Sequence, residues 1–461
     1  MIRLAVFSAM GHTIFVVVGL LIYVMATRIG HQRRPPASAM GWVIGIVAFP
    51  YVAVPLFLIF GTRKLTRPQR RLHGKAATAH DGGPAWATQL LDSMELPPPV
   101  RNEQLVWHAD GAHALEGLLA LIESATHRLD VCTFIFGNDA VGDAVADALV
   151  RSAARGVRVR LLIDAVGSIK TRPKVLRRLR KAGVRVRRFM PVMHNPRRGR
   201  MNLRNHRKLT VADGVHVWTG GRNLAVEYFI DRPGAPAWVD LSHEARGALA
   251  AQAHAQFDAD WRSASGRVNR VSSHVQAAEA AGGDSWAQWV ATGPDHADDT
   301  VHALLMAASY HAEKRILAVT PYFVPDDALL QAWCMACRRG VEVSLIVPGR
   351  SNHRLADWAR ERALRELCAA GGKVWLAPRM VHAKAIVVDD VLALSGSLNL
   401  DARSLFLNYE VMTAFYSSEQ VQWLERWFAR QLAAAQPYRA RQPGVLRDIC
   451  EGVVRSVGFQ L

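Results

Sequence analysis

Two sets of polar residues recur in this chain in the same order and at the same spacing. In each set a lysine follows a histidine by two positions, an aspartate follows it by seven, and a glycine and an asparagine follow it by 14 and 17. The sets are His206, Lys208, Asp213, Gly220 and Asn223, and His382, Lys384, Asp389, Gly396 and Asn399. A lone histidine and lysine on a strand would more often be an ordinary, partly exposed pair. The duplication is what favours function.

Residues of these types suit chemistry on a phosphodiester. Lysine and asparagine donors stabilise the negative charge that grows in the transition state. One imidazole can attack phosphorus to form a phospho-histidine, while the other protonates the leaving alcohol and then deprotonates the incoming one. Two lysines supply the positive charge and the sequence holds no acidic ligand cluster, so we expect no metal and no cofactor.

Strands must position these residues. Alternate residues of a strand share a face, so a strand through each motif would point its histidine and lysine together. The residues that follow, 209–212 and 385–388, are largely apolar, as a buried strand requires. A second strand would bring the glycine and asparagine alongside. We include Asp213 and Asp389 among the candidate catalytic residues, although we expect them mainly to support the fold or the lysines.

The wider sequence is a repeat of alternating helices and strands. Apolar periodicity predicts helices at 115–125 and 141–154 and strands at 129–136 and 157–163, which is typical of an α/β layer structure. Residues 155–163 are echoed at 339–347. We predict two halves that meet face to face around one cleft. The expected divisions are a linker at 62–105, halves at 106–265 and 293–435, a connection at 266–292 and a tail at 436–461.

The N-terminal 61 residues predict a membrane anchor. Leu4–Ala26 and Ala39–Gly61 are apolar runs of 23 residues each, and a spanning helix needs about 20. The sequence therefore predicts a transmembrane helical hairpin. Three arginines lie in the loop between the runs, whereas six lysines and arginines follow the second run. Because cytoplasmic flanks carry the excess of basic residues, we expect both ends of the hairpin and the catalytic part in the cytoplasm.

The charge balance favours an anionic partner. The formal net charge is +18, which suits acidic lipid headgroups or nucleic acid. Residues 170–188 hold ten lysines and arginines, and Arg197, Arg198 and Arg200 follow. Beside a bilayer this stretch is expected to contact acidic lipid. The five cysteines are too few and too scattered for a disulfide framework.

At these residues the sequence resembles the phospholipase D superfamily, and over nearly the whole chain it is similar to the bacterial cardiolipin synthases. The resemblance includes the motifs Asp110-Gly111, Arg204-Asn205-His206-Arg207-Lys208, Trp238-Val239-Asp240, Pro321-Tyr322-Phe323 and Asn399-Leu400-Asp401-Ala402-Arg403-Ser404. It implies a duplicated α-β-α sandwich whose halves share one active site. It also implies transfer of a phosphatidyl group between two phosphatidylglycerol molecules, giving cardiolipin and glycerol at the bacterial inner membrane.

The resemblance also implies residue roles. His206 would be the nucleophile and His382 the acid and base, although the near-symmetry of the halves does not decide between them. Family members hold each histidine with a downstream carboxylate, so Glu410 would orient His382 and Asp240 would orient His206. The expected substrate contacts are Asn223, Asn399, Ser397 and Arg403, together with Ser404 and Asn408.

Several related functions remain open from sequence alone. A phospholipase D-type hydrolase or a phosphatidylserine synthase would use the same site with water or serine as acceptor. A nuclease would suit the charge but needs no membrane anchor, so we expect no nucleic acid partner. An inactive lipid-binding scaffold would not need both intact motifs. The expected partners are phosphatidylglycerol and other anionic phospholipids.

Overall fold

A computed structural model describes most of the 461-residue chain. It covers residues 2–29, 36–61, 63–65, 79–191, 202–265, 283–444, 447 and 451–452. Within these ranges the α-helices are α1 Ile2–Val24, α2 Pro36–Ala48, α3 Pro50–Phe60, α4 Ala85–Ser93, α5 Gly111–Ser124, α6 Ala140–Ala154, α7 Pro173–Lys181, α8 Ala248–Ser263, α9 Thr300–His311, α10 Asp327–Arg338, α11 Arg354–Ala369, α12 Ala402–Phe406 and α13 Ser418–Ala434. The described residues also include a π-helical turn, Met25–Ile29, and a 3₁₀ turn, Val226–Tyr228.

The strands of the described residues alternate with these helices. They are β1 Val100–His108, β2 Arg128–Thr133, β3 Arg158–Asp164, β4 Arg185–Phe189, β5 Leu209–Ala212, β6 His216–Gly220, β7 Ser242–Gly247, β8 Ser285–Thr292, β9 Arg315–Val319, β10 Phe323–Val324, β11 Glu342–Pro348, β12 Lys373–Ala377, β13 Ala385–Val388, β14 Leu392–Gly396, β15 Leu400–Asp401, β16 Glu410–Phe415 and β17 Gln436–Pro437. The helices and strands predicted between residues 115 and 163 are confirmed as α5, β2, α6 and β3.

One sheet of 15 strands carries both halves of the repeat. Its centre is the antiparallel pair β1 and β8. Outward from β1 the order is β7, β6, β5, β2, β3 and β4, and outward from β8 it is β16, β14, β13, β9, β11, β12 and β17. Each half thus repeats the same seven-strand order about the centre, and β17 is an additional edge strand of the second half. The motif strands β5 and β13 occupy equivalent places. The duplicated α/β architecture is therefore confirmed.

Local sequence explains where several helices begin. The carboxylates of Asp110, Asp139 and Asp326 accept hydrogen bonds from backbone N–H groups in the first turns of α5, α6 and α10. Such caps satisfy donors that have no partner inside the helix. The apolar faces of these helices then pack on the sheet.

The core is divided into three main apolar clusters. One lies in the first half, with Leu118, Val145 and Leu161 among its members. A second lies in the second half and includes Leu304, Trp333 and Leu345. The third is shared, because residues from α8 and α13 pack together with apolar residues of both motif strands. The two halves are consequently one folded body rather than two lobes joined by a tether.

The predicted linker and connection are partly wrong. Helix α4 and strand β1 lie within residues 62–105 or begin there, and Ala87 and Leu91 of α4 are fully buried. Strand β8 occupies the end of the predicted connection, and β17 opens the predicted tail. Strand β1 carries many polar residues and is only partly buried, so its sequence lacks a strand's usual apolar signal. Residues 66–78 and 266–282, and residues 192–201 with their three arginines, lie outside the described residues.

The predicted anchor also differs in its second part. Within the described residues one helix is long and apolar enough to cross a membrane, over Met10–Thr27. The second apolar run is not one spanning helix. It is divided at Phe49 into α2 and α3, of 13 and 11 residues. Pro50 starts the second of these helices, which explains the break, because proline cannot donate the hydrogen bond that would continue α2.

The two motif aspartates hold the sheet together at a distance from the histidines. Asp389 accepts hydrogen bonds from the N–H groups of Glu313, Lys314 and Arg315, at 2.8 to 2.9 Å. Asp213 does the same for residues 126–128 of the first half, at 2.7 to 2.9 Å. Each aspartate therefore fastens the turn after its motif strand to the start of the neighbouring strand.

Both aspartates also adopt left-handed backbone conformations, with φ of 53° at Asp213 and 49° at Asp389. Aspartate tolerates this region better than most residues. Burial alone would raise the pKa of Asp213, but its backbone hydrogen bonds lower that pKa to about 2. These observations support a structural role for both aspartates. In each motif the histidine and lysine belong to the site, whereas the aspartate is a clamp that holds two strand ends together.

We expect Asp389→Ala to destabilise the fold without changing the site directly. Loss of three charge-assisted hydrogen bonds, with alanine forced into a left-handed conformation, should cost about 2 to 4 kcal/mol. Thermal unfolding of the purified protein in detergent measures this loss.

The neighbouring Asp390→Ala is the matched control, because Asp390 makes only exposed ion pairs with Lys314 and Arg315. It should change stability by less than about 1 kcal/mol. Equal loss in the two variants would contradict the clamp.

Candidate active site

The histidines and lysines of both motifs meet at the junction of the two halves. They lie in segments without regular secondary structure just before β5 and β13, not within those strands as the sequence predicted. These segments are held by backbone bonds across the junction. His206 N–H donates to the Tyr409 carbonyl at 2.9 Å, and His382 N–H donates to the Val239 carbonyl at 2.7 Å. Each motif is therefore aligned by the opposite half.

The carboxylates cross between the halves in the same way. His382 Nδ1 lies 2.7 Å from Asp240 Oδ2, and His206 Nδ1 lies 3.3 Å from Glu410 Oε1. The predicted pairing of Glu410 with His382 and Asp240 with His206 is wrong. The prediction kept each pair within one half, whereas the two-fold arrangement of the sheet brings each carboxylate against the histidine of the other half. Both carboxylates are fully buried.

A serine and a glycine adapt the two halves to carboxylates of different length. Ser397 donates to Glu410 Oε2 at 2.6 Å. The equivalent position in the first half is Gly221, where a Cβ atom would lie 2.1 Å from Asp240 Oδ1. The absence of a side chain at Gly221 thus lets Asp240 approach the junction. Ser397 was predicted as a substrate contact, and the structure gives its hydroxyl a positioning contact instead, although the residue also lines the cavity.

The two lysines form the cationic part of the site. Lys208 Nζ donates to the His206 carbonyl at 2.5 Å, and Lys384 Nζ lies 2.8 Å from His382 Nδ1. Both ammonium groups are almost completely buried. Burial lowers the pKa of Lys208, and it lowers the pKa of Lys384 to about 7. Two buried ammonium groups beside the histidines are suited to bind an anion.

Burial also keeps the imidazoles neutral. It lowers the pKa of His206, and burial together with Lys384 lowers the pKa of His382 to about 4. A neutral imidazole has a free lone pair, which a nucleophile requires. Burial alone would raise the pKa of Asp240 and Glu410, but hydrogen bonds from the opposing histidines and the charges of the lysines lower it, so the carboxylates remain charged.

Aromatic rings wall the imidazoles. Phe134 lies 3.9 Å from the His206 ring, between centroids, and Tyr228 and Trp238 lie 5.0 and 5.5 Å from the His382 ring. Phe134 and Tyr228 are not among the residues predicted from the motifs. Neither has a counterpart in the spacing of the motifs, and only the end of β2 and the turn after Asn223 bring them to the site.

A cavity of about 370 Å³ opens over these groups. Its polar lining includes Arg204, His206, Lys208, Asn223, His382, Lys384, Ser397, Asn399, Arg403, Ser404 and Asn408, and its other walls include Phe134, Ile135, Val166, Tyr228, Tyr322, Val324 and His353. The buried atoms Asn399 Oδ1, Ser404 Oγ and Asn408 Oδ1 have no hydrogen-bond partner. A buried polar atom without a partner costs free energy, so these atoms are suited to a ligand.

The predicted substrate contacts are distributed around this cavity. Asn223 is held by Tyr228, whose hydroxyl accepts from its amide at 2.8 Å. Arg403 donates to the Asn202 carbonyl at 2.8 Å and to its side-chain oxygen at 3.0 Å, which fixes the guanidinium at the wall. The two motif aspartates are absent from the described lining, so their inclusion in the catalytic set is corrected.

One arginine within the first motif, Arg207, connects the site to the core. Arg207 is fully buried and donates to Asp260 at 2.5 Å, to Asp295 at 3.1 Å and to the Glu410 carbonyl at 3.0 Å. Burial alone would lower the pKa of Arg207, but the two aspartates raise it above its usual value. Arg207 thereby links the first motif to the carboxylate strand of the second half.

This arrangement can hold one phosphate group between two neutral imidazoles. The lysines and the Ser404 hydroxyl can donate to its charged oxygens, whereas the free amide oxygens of Asn399 and Asn408 can accept from a hydroxyl of the ligand. Each imidazole is oriented by a carboxylate. No cluster of three or more His, Cys, Asp or Glu side chains suited to a metal is found in the described part of the chain.

Comparisons with known proteins agree with this geometry. The family described as "Cardiolipin synthase, PLD-like domain" matches residues 118–261 and 305–432. The chain is 32% identical to cardiolipin synthase A of Klebsiella pneumoniae, over 85% of this chain and 86% of that protein. It is 29% identical to cardiolipin synthase 1 of Bacillus anthracis, over 86% of this chain and 83% of that protein.

The fold has a solved counterpart as well. Phosphatidylserine synthase of Haemophilus influenzae Rd KW20 superposes with a TM-score of 0.62 at 15% identity, over 81% of this chain and all of that one. At that identity the likeness concerns the fold alone. One matched segment lies in each half of the sheet, and on this evidence the chain belongs to the family of cardiolipin synthases with phospholipase D-like domains.

Proposed function

We propose that this protein is a phosphatidyltransferase that makes cardiolipin and glycerol from two molecules of phosphatidylglycerol. The observation that carries the proposal is the crossed pair of neutral, carboxylate-oriented histidines in one cavity with two buried lysines. Two imidazoles allow a two-step transfer with a covalent intermediate, and family membership supplies the lipid class.

In the first step the His206 Nε2 lone pair attacks phosphorus of the donor lipid. A P–N bond forms and the P–O bond to the glycerol headgroup breaks. His382, protonated once the anionic phosphodiester has raised its pKa, gives its proton to the leaving oxygen. Lys208 and Lys384 stabilise the charge on the non-bridging oxygens.

In the second step the terminal hydroxyl of another phosphatidylglycerol attacks the phospho-histidine. His382 accepts its proton, the P–N bond breaks, and cardiolipin leaves. Asp240 stabilises the imidazolium that forms on His382, and Glu410 orients His206 so that Nε2 faces phosphorus. Transfer to water would give phosphatidic acid instead, so a lipid acceptor must reach the cavity in preference to water.

A contact between the anchor and the site supports a lipid substrate. Directly after α3, Lys64 Nζ lies 2.9 Å from Asp299, and Arg63 Nε donates to the Phe406 carbonyl at 3.3 Å. Phe406 ends α12, the same short helix whose Arg403 and Ser404 line the cavity. The anchor is thus fastened beside the site. We place the protein in the bacterial inner membrane with its catalytic halves on the cytoplasmic side.

Incubation of the purified full-length protein with phosphatidylglycerol alone, in detergent and with EDTA, tests this function. We expect cardiolipin and glycerol by mass spectrometry. The rate of transfer should fall at least 1,000-fold in His206→Ala and His382→Ala, roughly the loss seen when one residue of a Ser-His-Asp catalytic triad is removed. Phosphatidic acid as the main product would identify a hydrolase, and product formed only with added serine would identify a phosphatidylserine synthase. Full activity in either variant would contradict the mechanism.

The crossed pairing predicts which variants act through the same histidine. Asp240→Asn alone should lower kcat by about 100-fold or more, because it removes the charge that orients and stabilises His382. In a His382→Gln background the same change should have little further effect, since residues that act as a unit are not additive.

Glu410→Gln is the matched control in that background and should still lower the residual rate. Radiolabelled lipid makes the residual rates measurable. The crossing is wrong if Asp240→Asn loses its effect in His206→Gln and keeps it in His382→Gln.

Lysine titration predicts the alkaline side of the pH profile. The pKa of Lys384 in the free protein is lowered to about 7 by burial, so its ammonium is present below this pH and is lost above it. We expect kcat/KM to fall above about pH 7, because kcat/KM reports the free enzyme. The fall in kcat should come at higher pH, since bound phosphodiester stabilises the ammonium. A kcat/KM that stays level to pH 9 would refute this assignment.

A further inference from the structure

The second apolar segment of the anchor folds back on itself. Trp42 of α2 and Phe57 of α3 touch, with ring centroids 5.2 Å apart. In one continuous helix residues fifteen positions apart would be separated by about 22 Å. A Cβ atom at Gly45 would lie 3.6 Å from the Cβ atom of Ala53, so the helices stay close beyond the turn. Helices α2 and α3 therefore form an antiparallel pair with Phe49 at its tip.

Contacts with α1 give the direction of this pair. Near the end of α1, the Tyr23 hydroxyl lies 3.5 Å from the Ala39 carbonyl at the start of α2, and Tyr23 also meets Phe57 at 5.2 Å near the end of α3. Tyr51, just after the tip, meets Phe15 at 4.8 Å in the middle of α1. The pair enters beside the C-terminal end of α1, reaches about its middle, and returns to the same end.

Tight packing makes the three helices one unit. A Cβ atom at Gly19 of α1 would lie 2.5 Å from Val54 and 2.9 Å from Ile46. Small residues at helix contacts allow such close approach in membranes. Ile46 is fully buried between the helices, whereas Phe49 at the tip is 71% exposed.

The lengths of α2 and α3 do not allow either to cross a bilayer. With 13 and 11 residues they extend about 20 and 16 Å, against a hydrocarbon thickness of about 30 Å. Their outward faces are apolar all the same, since Met40, Ile44 and Val52 are each at least 60% exposed. An exposed surface of this kind at the depth of one leaflet fits lipid acyl chains.

The distribution of lysines and arginines indicates on which side of the membrane the ends of α2 and α3 lie. If the second segment crossed the membrane, the loop at 27–38 with its three arginines would lie opposite the six basic residues that follow α3. If the segment turns back within the membrane, these nine basic residues all lie on the same side of the membrane as the catalytic halves. On the other side of the apolar stretch Met10–Thr27, residues 1–9 carry a single basic side chain, Arg3. The excess of lysine and arginine on the cytoplasmic side favours the second arrangement.

We propose that the chain crosses the membrane once, through α1, and that α2 and α3 form a re-entrant hairpin in the cytoplasmic leaflet, with the amino terminus on the outer side. The hairpin surface is occupied by acyl chains of that leaflet. Because Arg63 and Lys64 fasten the end of α3 to the catalytic body, the cavity is held at the leaflet from which its substrate would come. The proposal concerns topology and does not depend on the reaction catalysed.

Side-specific cysteine labelling of the full-length protein in native membranes tests it. Three variants, Arg3→Cys, Gln32→Cys and Glu103→Cys, are made in a background where Cys337, Cys368 and Cys450 are serine, and each is checked for retained lipid transfer. A membrane-impermeant maleimide is applied to spheroplasts and to inside-out vesicles. Glu103 is exposed on β1 and reports the side of the catalytic halves.

We expect Gln32→Cys to label together with Glu103→Cys in inside-out vesicles only, and Arg3→Cys to label in spheroplasts only. Labelling of Gln32→Cys in spheroplasts, with Arg3→Cys on the side of Glu103→Cys, would establish two crossings and overturn the proposal. Labelling of all three positions in inside-out vesicles only would mean no crossing, and would overturn it as well.

Discussion

The site depends on one reciprocal interaction, in which each half supplies the carboxylate that orients the other half's histidine. Asp240 and Glu410 are fully buried, and a buried carboxylate is tolerated only when it is paired and hydrogen-bonded. Their partners are His382 and His206, which neither half alone provides. Separating the halves would remove the histidine partner from each carboxylate and the orienting carboxylate from each histidine. Catalytic geometry and association of the halves are thus one requirement.

The shared core and Arg207 reinforce this requirement. Apolar residues of α8 and α13 pack in one cluster with both motif strands, and Arg207 bonds to the Glu410 carbonyl across the junction. A guanidinium buried this deeply is stable because Asp260 and Asp295 neutralise it. The second motif has Ala383 at the matching position and makes no such link. The contact between the motif and the opposite carboxylate strand is therefore made once, by Arg207, although the two halves are otherwise equivalent.

Sequence alone predicted the parts of the fold that depend on local pattern. The repeat, the alternation of helix and strand, and the two motifs are visible because short-range periodicity and spacing determine them. The crossed pairing is not visible, since it depends on how two equivalent halves face each other. The spacing along the chain does not show that the two carboxylates are equivalent. Asp240 follows the histidine of its own half by 34 positions, whereas Glu410 follows His382 by 28. The sheet register reveals the equivalence, as Ser242 and Met412 pair with the matching glycines of β6 and β14.

The anchor shows the same limit from another direction. An apolar run of 23 residues satisfies the length rule for a spanning helix, but that rule treats the run as one helix. Pro50 divides it, and Gly19 provides the space into which both pieces pack. Composition gives the affinity for lipid, whereas a proline and a glycine allow the folded-back packing on which the proposed re-entrant hairpin rests. Since α3 leads directly into the buried Arg63 and Lys64 beside α12, this local packing also determines how close the cavity lies to the membrane surface.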